Sequence, residues 1–410
     1  MKVLWLTSKD PLVNHSSGGG WFSSLCQSLR ALNEYEFYFC FPGKRDEESD
    51  NTFIFKSRQK NSSKINKEVV KRFEKLLEVI CPDVIHVWGT ENTFSFALVK
   101  AAKKLGYVNK IVVHIQGFCF ACAEQYEYGL PFNVIHGVLP RDLYLGNVRS
   151  TKKQFEKRGR YEKELLLNVS HVFGRTTWDY AYCKAINPNL NYHYCGELLR
   201  DSFYHKEWAY KKCNPRSVFI SSASYPLKGL HYCVLAFAEV VKQYPDAKLL
   251  VGGISVVKSV GGFKERIKLS RYGLYIKRLI RKYNLTQNIV FLGPLNEKQI
   301  CSQYLQSNVY LLSSSLENSS NSLGEAMTLG VPTIASYVGG NPDFIRHGEN
   351  GYLYPFSDFR LLAFYIIKIF EMKEEAERLS VSSRKSSFER YEKEKILCEI
   401  IKVYGELAHK

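Results

Sequence analysis

The sequence predicts an α/β protein of two doubly wound, parallel-sheet (Rossmann-like) domains. Three observations carry that prediction. The chain has 410 residues, past the roughly 250–300 at which a single core stops growing. Short, near-continuous apolar runs alternate with helical stretches, the pattern of buried parallel strands with helices on both faces. The alternation occurs twice, on either side of a polar, charged segment.

In the first half the strand-like runs are 3–7, 36–41, 84–88, 110–115 and 171–173. In the second half they are 217–221, 248–251, 289–292, 309–312, 333–335 and 352–354. Helical patterns cover 20–32, 67–80 (leading into Pro82), 230–244, 359–371 and 389–407. The expected domains are therefore 1–200 and 216–388, with 201–215 as linker and 389–410 as a closing helix free to pack back on the first domain. Ligands of such folds bind at the carboxyl ends of the strands, so the two crevices are expected to face one cleft.

Composition narrows the function. Hydrophobic residues at 45% and charged residues at 24% exclude a disordered chain. Fifty-seven Lys and Arg against 40 Asp and Glu leave a formal charge of +17, which favours nucleic acid, an acidic membrane surface or phosphorylated ligands. Eleven scattered cysteines include one C-x-x-C, Cys119 and Cys122. That is half a zinc shell, so reduced thiols are expected rather than a metal site. The opening MKVLWLTSKDP lacks a signal-peptide layout, and no run is long enough to span a bilayer. A cytoplasmic protein is expected, able to rest peripherally at the inner face of the cell membrane.

The strongest chemical signal lies between 309 and 345. The strand VYLLSSS leads to Glu317, then the polar loop NSSNS, and then Leu323, Gly324 and Glu325 opening a helix that ends at Gly330. Two carboxylates flank a helix N-terminus whose free N–H groups and partial positive charge suit a diphosphate. Ionised carboxylates accept strong hydrogen bonds from sugar hydroxyls. One arrangement holds a whole nucleotide sugar: Glu325 on the ribose, the Leu323 and Gly324 amides on the phosphates, and Glu317 on the transferred sugar, with Asn321 and Ser322 as further candidates. Acids near helix starts are common, so a merely acidic loop is the alternative.

Glu317 and Glu325, followed by Ala326, Met327, Gly330, Pro332 and Val338-Gly339-Gly340, resemble the signature of the family-four retaining glycosyltransferases (glycosyl transferases group 1). Asn350-Gly351-Tyr352-Leu353 also fits. The resemblance implies the GT-B fold, a first Glu contacting the donor sugar, and a second contacting the ribose. It also implies an acceptor-binding first domain and a nucleotide-sugar-binding second. Lys228-Gly229-Leu230, after the strand SVFISSA, matches the family's diphosphate-binding Lys; a Lys at a βα turn is well placed for phosphate. The family commonly carries an Arg five or six residues earlier, where this chain has Ala223 and Ser222.

Gly18, Gly19 and Gly20 follow the first strand, where the family has a Gly-rich loop facing the donor; glycines allow close backbone approach. A flexible turn is the alternative. The run is no dinucleotide fingerprint, since Ser23 stands where the last Gly is needed. His114 ends the strand KIVVHI, where the family places a His beside the reacting sugar. The expectation is a catalytic-site His bonding a sugar hydroxyl, against a structural one. His86 lies similarly and ranks lower. Arg175 follows the strand HVF and is a candidate for phosphate or acceptor, or for a structural ion pair. No D-x-D occurs, which fits the metal-independent family and predicts neither metal nor cofactor.

The expected function is transfer of a sugar, with retention, from a UDP- or GDP-linked donor to a glycan or lipid-linked acceptor in polysaccharide (capsule, exopolysaccharide or O-antigen) synthesis. The alternatives are another GT-B enzyme, such as a nucleotide-sugar epimerase, and a non-enzymatic nucleic-acid-binding protein. No zinc-finger, RNP or heptad signature supports the last, so nucleic acid is not an expected partner. Basic stretches lie at 56–75, 149–163 and 264–282. The last has apolar positions Ile267, Leu274, Ile276, Leu279 and Ile280 among cations, as a membrane-surface helix does; a domain helix with a solvated basic face is the alternative.

Overall fold

The computed structural model describes residues 1–13, 20–57, 65–257 and 269–409, with the backbone alone at 20–22. The described chain divides into two compact units. Unit 1 holds Met1–Ala121, Gln154–Leu199 and Tyr391–Lys410; unit 2 holds Cys122–Lys153 and Arg200–Arg390.

Unit 1 contains an eight-stranded sheet. Its elements are β1 (Lys2–Leu6), α1 (Gly20–Arg30), β2 (Glu36–Gly43), β3 (Glu47–Ser49), β4 (Thr52–Lys56), α2 (Lys67–Ile80), β5 (Val84–Trp88), α3 (Thr93–Lys104) and β6 (Ile111–His114). α4 (Cys119–Gln125) leads into unit 2, where α5 (Phe132–His136) and α6 (Pro140–Leu145) lie. α7 (Val148–Leu167) leads back to β7 (His171–Gly174), α8 (Thr177–Ile186) and β8 (Asn191–Tyr194). The strand order is β3-β4-β2-β1-β5-β6-β7-β8, parallel except for β3. β1 (KVLWL) is buried along nearly its whole length, because a parallel sheet is covered on both faces. β3, reading EES, caps one edge with charge that discourages further pairing. α2 starts at Asn66, whose side chain accepts from the Glu68 N–H, and buries Val69, Phe73, Leu76, Leu77 and Ile80 at helical spacing.

Unit 2 continues with β9 (Asn214–Ile220), α9 (Leu230–Gln243), β10 (Lys248–Gly252), α10 (Arg271–Lys282), β11 (Ile289–Gly293), α11 (Glu297–Gln306) and β12 (Ser307–Leu312). Then come α12 (Asn321–Leu329), β13 (Thr333–Ser336), β14 (Tyr352–Tyr354), α13 (Phe359–Glu371) and α14 (Lys373–Arg390). Its six strands are all parallel in the order β11-β10-β9-β12-β13-β14. The order reverses between β9 and β12, the switch point at which such sheets hold ligands. The fold is thus α/β with two Rossmann-like sheets, the fold class expected from the sequence.

α15 (Lys393–Ala408) belongs to unit 1. It buries Ile396, Ile400, Val403, Tyr404 and Leu407, one stripe of a helix, in the cluster that holds Trp5, Trp88 and Phe173. At about 1.5–3 kcal/mol for each fully buried large apolar side chain, that face is worth on the order of 10 kcal/mol. Trp5 Nε1 donates to the Tyr404 hydroxyl (2.9 Å), which lies 2.6 Å from His86 Nδ1. An indole N–H only donates, so the Tyr404 oxygen accepts from Trp5 and shares a second hydrogen bond with the His86 ring. Burial holds the pKa of that ring well below the usual value.

Several boundaries differ from expectation. Residues 201–215 form no free linker: buried Trp208 bonds through its amide to Leu329 O and through Nε1 to Ser307 O (both 2.8 Å), inside unit 2. Segment 122–153 clusters with unit 2 although it lies within the expected first domain. The basic helix α10 buries Tyr272, Ile276, Leu279 and Ile280 within unit 2, so its apolar face is a domain face and not a membrane stripe; Ile267 lies outside the described residues. None of the eleven cysteines forms a disulfide, and Cys119 Sγ donates to Glu91 O (3.7 Å).

Candidate functional site

In unit 2 the turn after β9 is a short 3-10 turn, Pro226–Lys228, followed by Gly229 in the left-handed conformation (φ 69). A Cβ on Gly229 would lie 1.9 Å from Ser313 O, so only glycine lets this turn pack against the end of β12. The Ser315 N–H donates to Leu227 O (2.7 Å) and the Ser313 hydroxyl to Lys228 O (2.8 Å), tying the two loops together. Lys228 is thereby aimed at Glu317, Nζ to Oε1 2.5 Å, and the Ser314 hydroxyl donates to the same oxygen. Burial works against the Lys228 ammonium, but Glu317 and then Tyr225 outweigh it and hold its pKa above the ordinary lysine value.

The Val338-Gly339-Gly340 run fixes Glu317 from the other side. The Gly340 N–H donates to Glu317 O (3.0 Å). A Cβ on Gly339 (φ +52) would sit 1.8 Å from that same oxygen.

Ser320 caps α12, its hydroxyl accepting from the Leu323 N–H, while the Leu323 and Gly324 amides also donate to Ser320 O (both 3.1 Å). The two amides expected at the phosphates thus close the first helical turn in this structure. What α12 retains is the field of its N-terminus. Tyr310 and Ser320 bond the Ser322 hydroxyl (2.8 and 2.9 Å), and Asn321 opens the helix. Glu325 is buried and takes two N–H bonds from Arg200 on Oε1, at 3.0 and 2.6 Å. Burial raises the Glu325 carboxyl above its ordinary pKa against the pull of Arg200. Arg200, 125 residues from its partner, is a site cation that the sequence reading did not single out.

In unit 1 a polar cluster stands beyond the carboxyl ends of β5 to β8. Arg175 Nη1 pairs with Glu197 Oε2 (2.6 Å) and Nη2 donates to Gln116 O (3.3 Å), while Gln116 Nε2 donates to Glu197 Oε1 (2.6 Å). The Arg175 and Thr176 amides donate to Asp179, whose capping box starts α8. The Thr90 hydroxyl donates to Glu162 Oε1 (2.5 Å), and burial pushes that carboxyl up to about 8, so it holds a proton at neutral pH. Burial also raises Glu91, with Arg158 and Arg175 opposing. Arg175 is therefore part of a buried ion pair.

His114 ends β6 as expected, but its ring is fully enclosed, stacked on Trp88 (4.5 Å) and on His86 (5.7 Å). Trp88 and His114 are register partners, so the side chain lies on a sheet face and offers no surface to a sugar. Gln116, two residues on and partly exposed, is the side chain that reaches past the strand end. Gly19 lies outside the described residues; Gly20 opens α1.

Residues 203–386 match the family model described as glycosyl transferases group 1. Over 178 residues the chain is 30% identical to N-acetyl-alpha-D-glucosaminyl L-malate synthase of Bacillus anthracis, covering 43% of this chain and 42% of that protein. The chain thus spans less than half the length of this curated relative. In structure it resembles the sucrose-phosphate synthase of Thermosynechococcus elongatus, with a TM-score of 0.71, 17% identity, and 99% and 98% of the two chains covered. It also resembles Anabaena HepE in complex with UDP-glucose: TM-score 0.65, 15% identity, 99% and 100% covered.

Proposed function

We propose that the chain is a retaining glycosyltransferase. It would move a sugar from a UDP- or GDP-linked donor to a glycan or lipid-linked acceptor in surface-polysaccharide synthesis. One observation carries the proposal: the Lys228–Glu317 pair stands at the β9/β12 switch point, with Glu325 in the helix that follows. The group 1 family match over 203–386 and the UDP-glucose bound by HepE support it.

In this reading Lys228 leaves Glu317 for the diphosphate when donor binds, and Glu317 is released to accept a sugar hydroxyl. Glu325 accepts from the ribose while keeping Arg200. As the bond from sugar C1 to the phosphate oxygen breaks, Lys228 and the α12 N-terminus stabilise the growing negative charge. The acceptor oxygen bonds C1 on the face just vacated, and its proton passes to the leaving phosphate. In unit 1, half-buried Gln116, held by Glu197, is the polar group offered for an acceptor hydroxyl. With no D-x-D in the sequence, no metal is assigned a part in the proposal.

The test is thermal shift and nucleotide release with UDP- and GDP-sugars in EDTA, for wild type and Lys228→Met. The expected result is stabilisation by one nucleotide, lost in the variant, with release that requires acceptor. No shift with either nucleotide would reject a donor site here. Sugar interconversion without acceptor would make the chain an epimerase instead.

A further inference from the structure

Segment 128–145 of unit 2 exposes large apolar side chains in a run unlike the rest of its surroundings. Phe132 is 76% exposed, Val138 51%, Leu143 75%, Tyr144 89% and Leu145 67%. They are not a frayed end. α5 is anchored by buried Val134 and by Arg271 Nε donating to Asn133 O (3.0 Å). α6 is anchored by buried Asp142, which accepts from the Leu139 N–H (3.0 Å) and the Arg271 N–H (3.2 Å). The inner faces are fixed while the outer faces remain apolar, and exposed apolar side chains gathered this closely mark an interaction surface.

Cations predominate beside this surface; of the acids just before it, Glu127 is paired with Lys152 (2.8 Å) and Glu124 is exposed. α10 packs against α5 and carries Arg278, Arg281 and Lys282 exposed at its outer side. Arg149 and Lys153 follow α6, also exposed. The acid within α6, Asp142, is the buried anchor. Apolar side chains rimmed by cations suit the interface of an anionic bilayer, where Leu and Phe enter the acyl boundary, Tyr sits at headgroup depth and Lys and Arg meet phosphate. No helix among the described residues is long and apolar enough to cross a membrane.

We propose that the α5–α6 surface, with the basic outer side of α10, docks this protein on an anionic phospholipid bilayer. The inference deepens the function proposed above, on which it rests for its lipid-linked acceptor; the docking itself involves neither donor nor acceptor. It also relocates the membrane contact expected of the basic helix: α10 contributes cations, and α5 and α6 contribute the apolar side chains.

The experiment is co-sedimentation with vesicles of phosphatidylcholine plus phosphatidylglycerol, against phosphatidylcholine alone, without nucleotide sugar. Wild type should bind the anionic vesicles and be released by salt. Leu143→Ser/Tyr144→Ser/Leu145→Ser should weaken binding about tenfold or more at unchanged melting temperature, since these side chains are exposed. Arg278→Glu/Arg281→Glu should weaken it and flatten the salt dependence. Binding absent in wild type, or equal in the triple variant, would overturn the proposal. So would wild-type self-association, without lipid, that the triple variant abolishes, because the surface would then cover a second copy. Donor-induced thermal shift is read on the same samples, so loss of docking and loss of the donor site are separate results.

Discussion

Replacing Arg200 with Gln isolates the electrostatics of the nucleotide side of the site. Arg200 gives two N–H bonds to one oxygen of Glu325, at 3.0 and 2.6 Å, and both side chains are largely enclosed. Removing one partner of a buried pair leaves an uncompensated charge, which costs about 3–5 kcal/mol. Glu325 already has its carboxyl raised by burial, and losing Arg200 raises it further. A carboxyl that titrates higher folded than unfolded binds more protons in the folded state. Its contribution to stability is complete below the unfolded value, near 4.5, and is lost as pH rises through the folded value. Arg200→Gln should therefore destabilise by about 3–5 kcal/mol at pH 8 and by less at pH 5. The double variant Arg200→Leu/Glu325→Leu should recover most of the loss, since an apolar pair of similar volume replaces a buried ion pair at little cost. Urea unfolding at the two pH values measures all three proteins. A cost below about 1 kcal/mol at pH 8, or one that does not change with pH, would refute the reasoning.

Three further perturbations test other parts of the structure. Glu317→Gln keeps the shape and the Ser314 contact but removes the charge; sugar transfer should fall about 10²–10³-fold in kcat while nucleotide affinity, read by titration, changes far less. Gly339→Ala puts a methyl 1.8 Å from Glu317 O at a φ of +52, so the loop must shift; transfer should drop at least about tenfold while circular dichroism stays native. Tyr404→Phe removes the acceptor of Trp5 Nε1 and the hydroxyl partner of His86 Nδ1; calorimetry should show a loss of about 1–3 kcal/mol, or roughly 1–4 °C in Tm.

The parallel sheets were legible because buried strands such as VLWL and IVV are apolar throughout, and VIHVW is broken only by His86. Glu317, Glu325 and Lys228 were legible through spacing, and the structure adds why Gly339 and Gly229 accompany them: each lets a backbone oxygen approach where a side chain would collide. α14 was invisible as an amphipathic helix because it packs with small residues. Ser380, Ser383 and Ser387 are buried, and the Ser387 hydroxyl meets Thr328 of α12 at 2.6 Å, so no large apolar stripe appears. The face of His114 was not legible, because a strand end fixes a residue's height and leaves its face undetermined; pairing with Trp88 turns it onto the sheet. Arg200 and Glu197 lie outside any spaced motif, and their partners Glu325 and Arg175 are brought to them only by tertiary folding.

The seat of α15 has a consequence for how the protein is made. Trp5 waits for Tyr404, 399 residues later, so the sheet face bearing Trp5, His86 and Trp88 cannot be sealed while unit 2 is being translated. At ~5–20 residues per second that interval is roughly 20–80 s, far longer than hydrophobic collapse takes. Through it the nascent chain carries an open aromatic face, a natural client surface for a chaperone, and a ribosome that stalls before α15 leaves a product whose first unit stays unsealed.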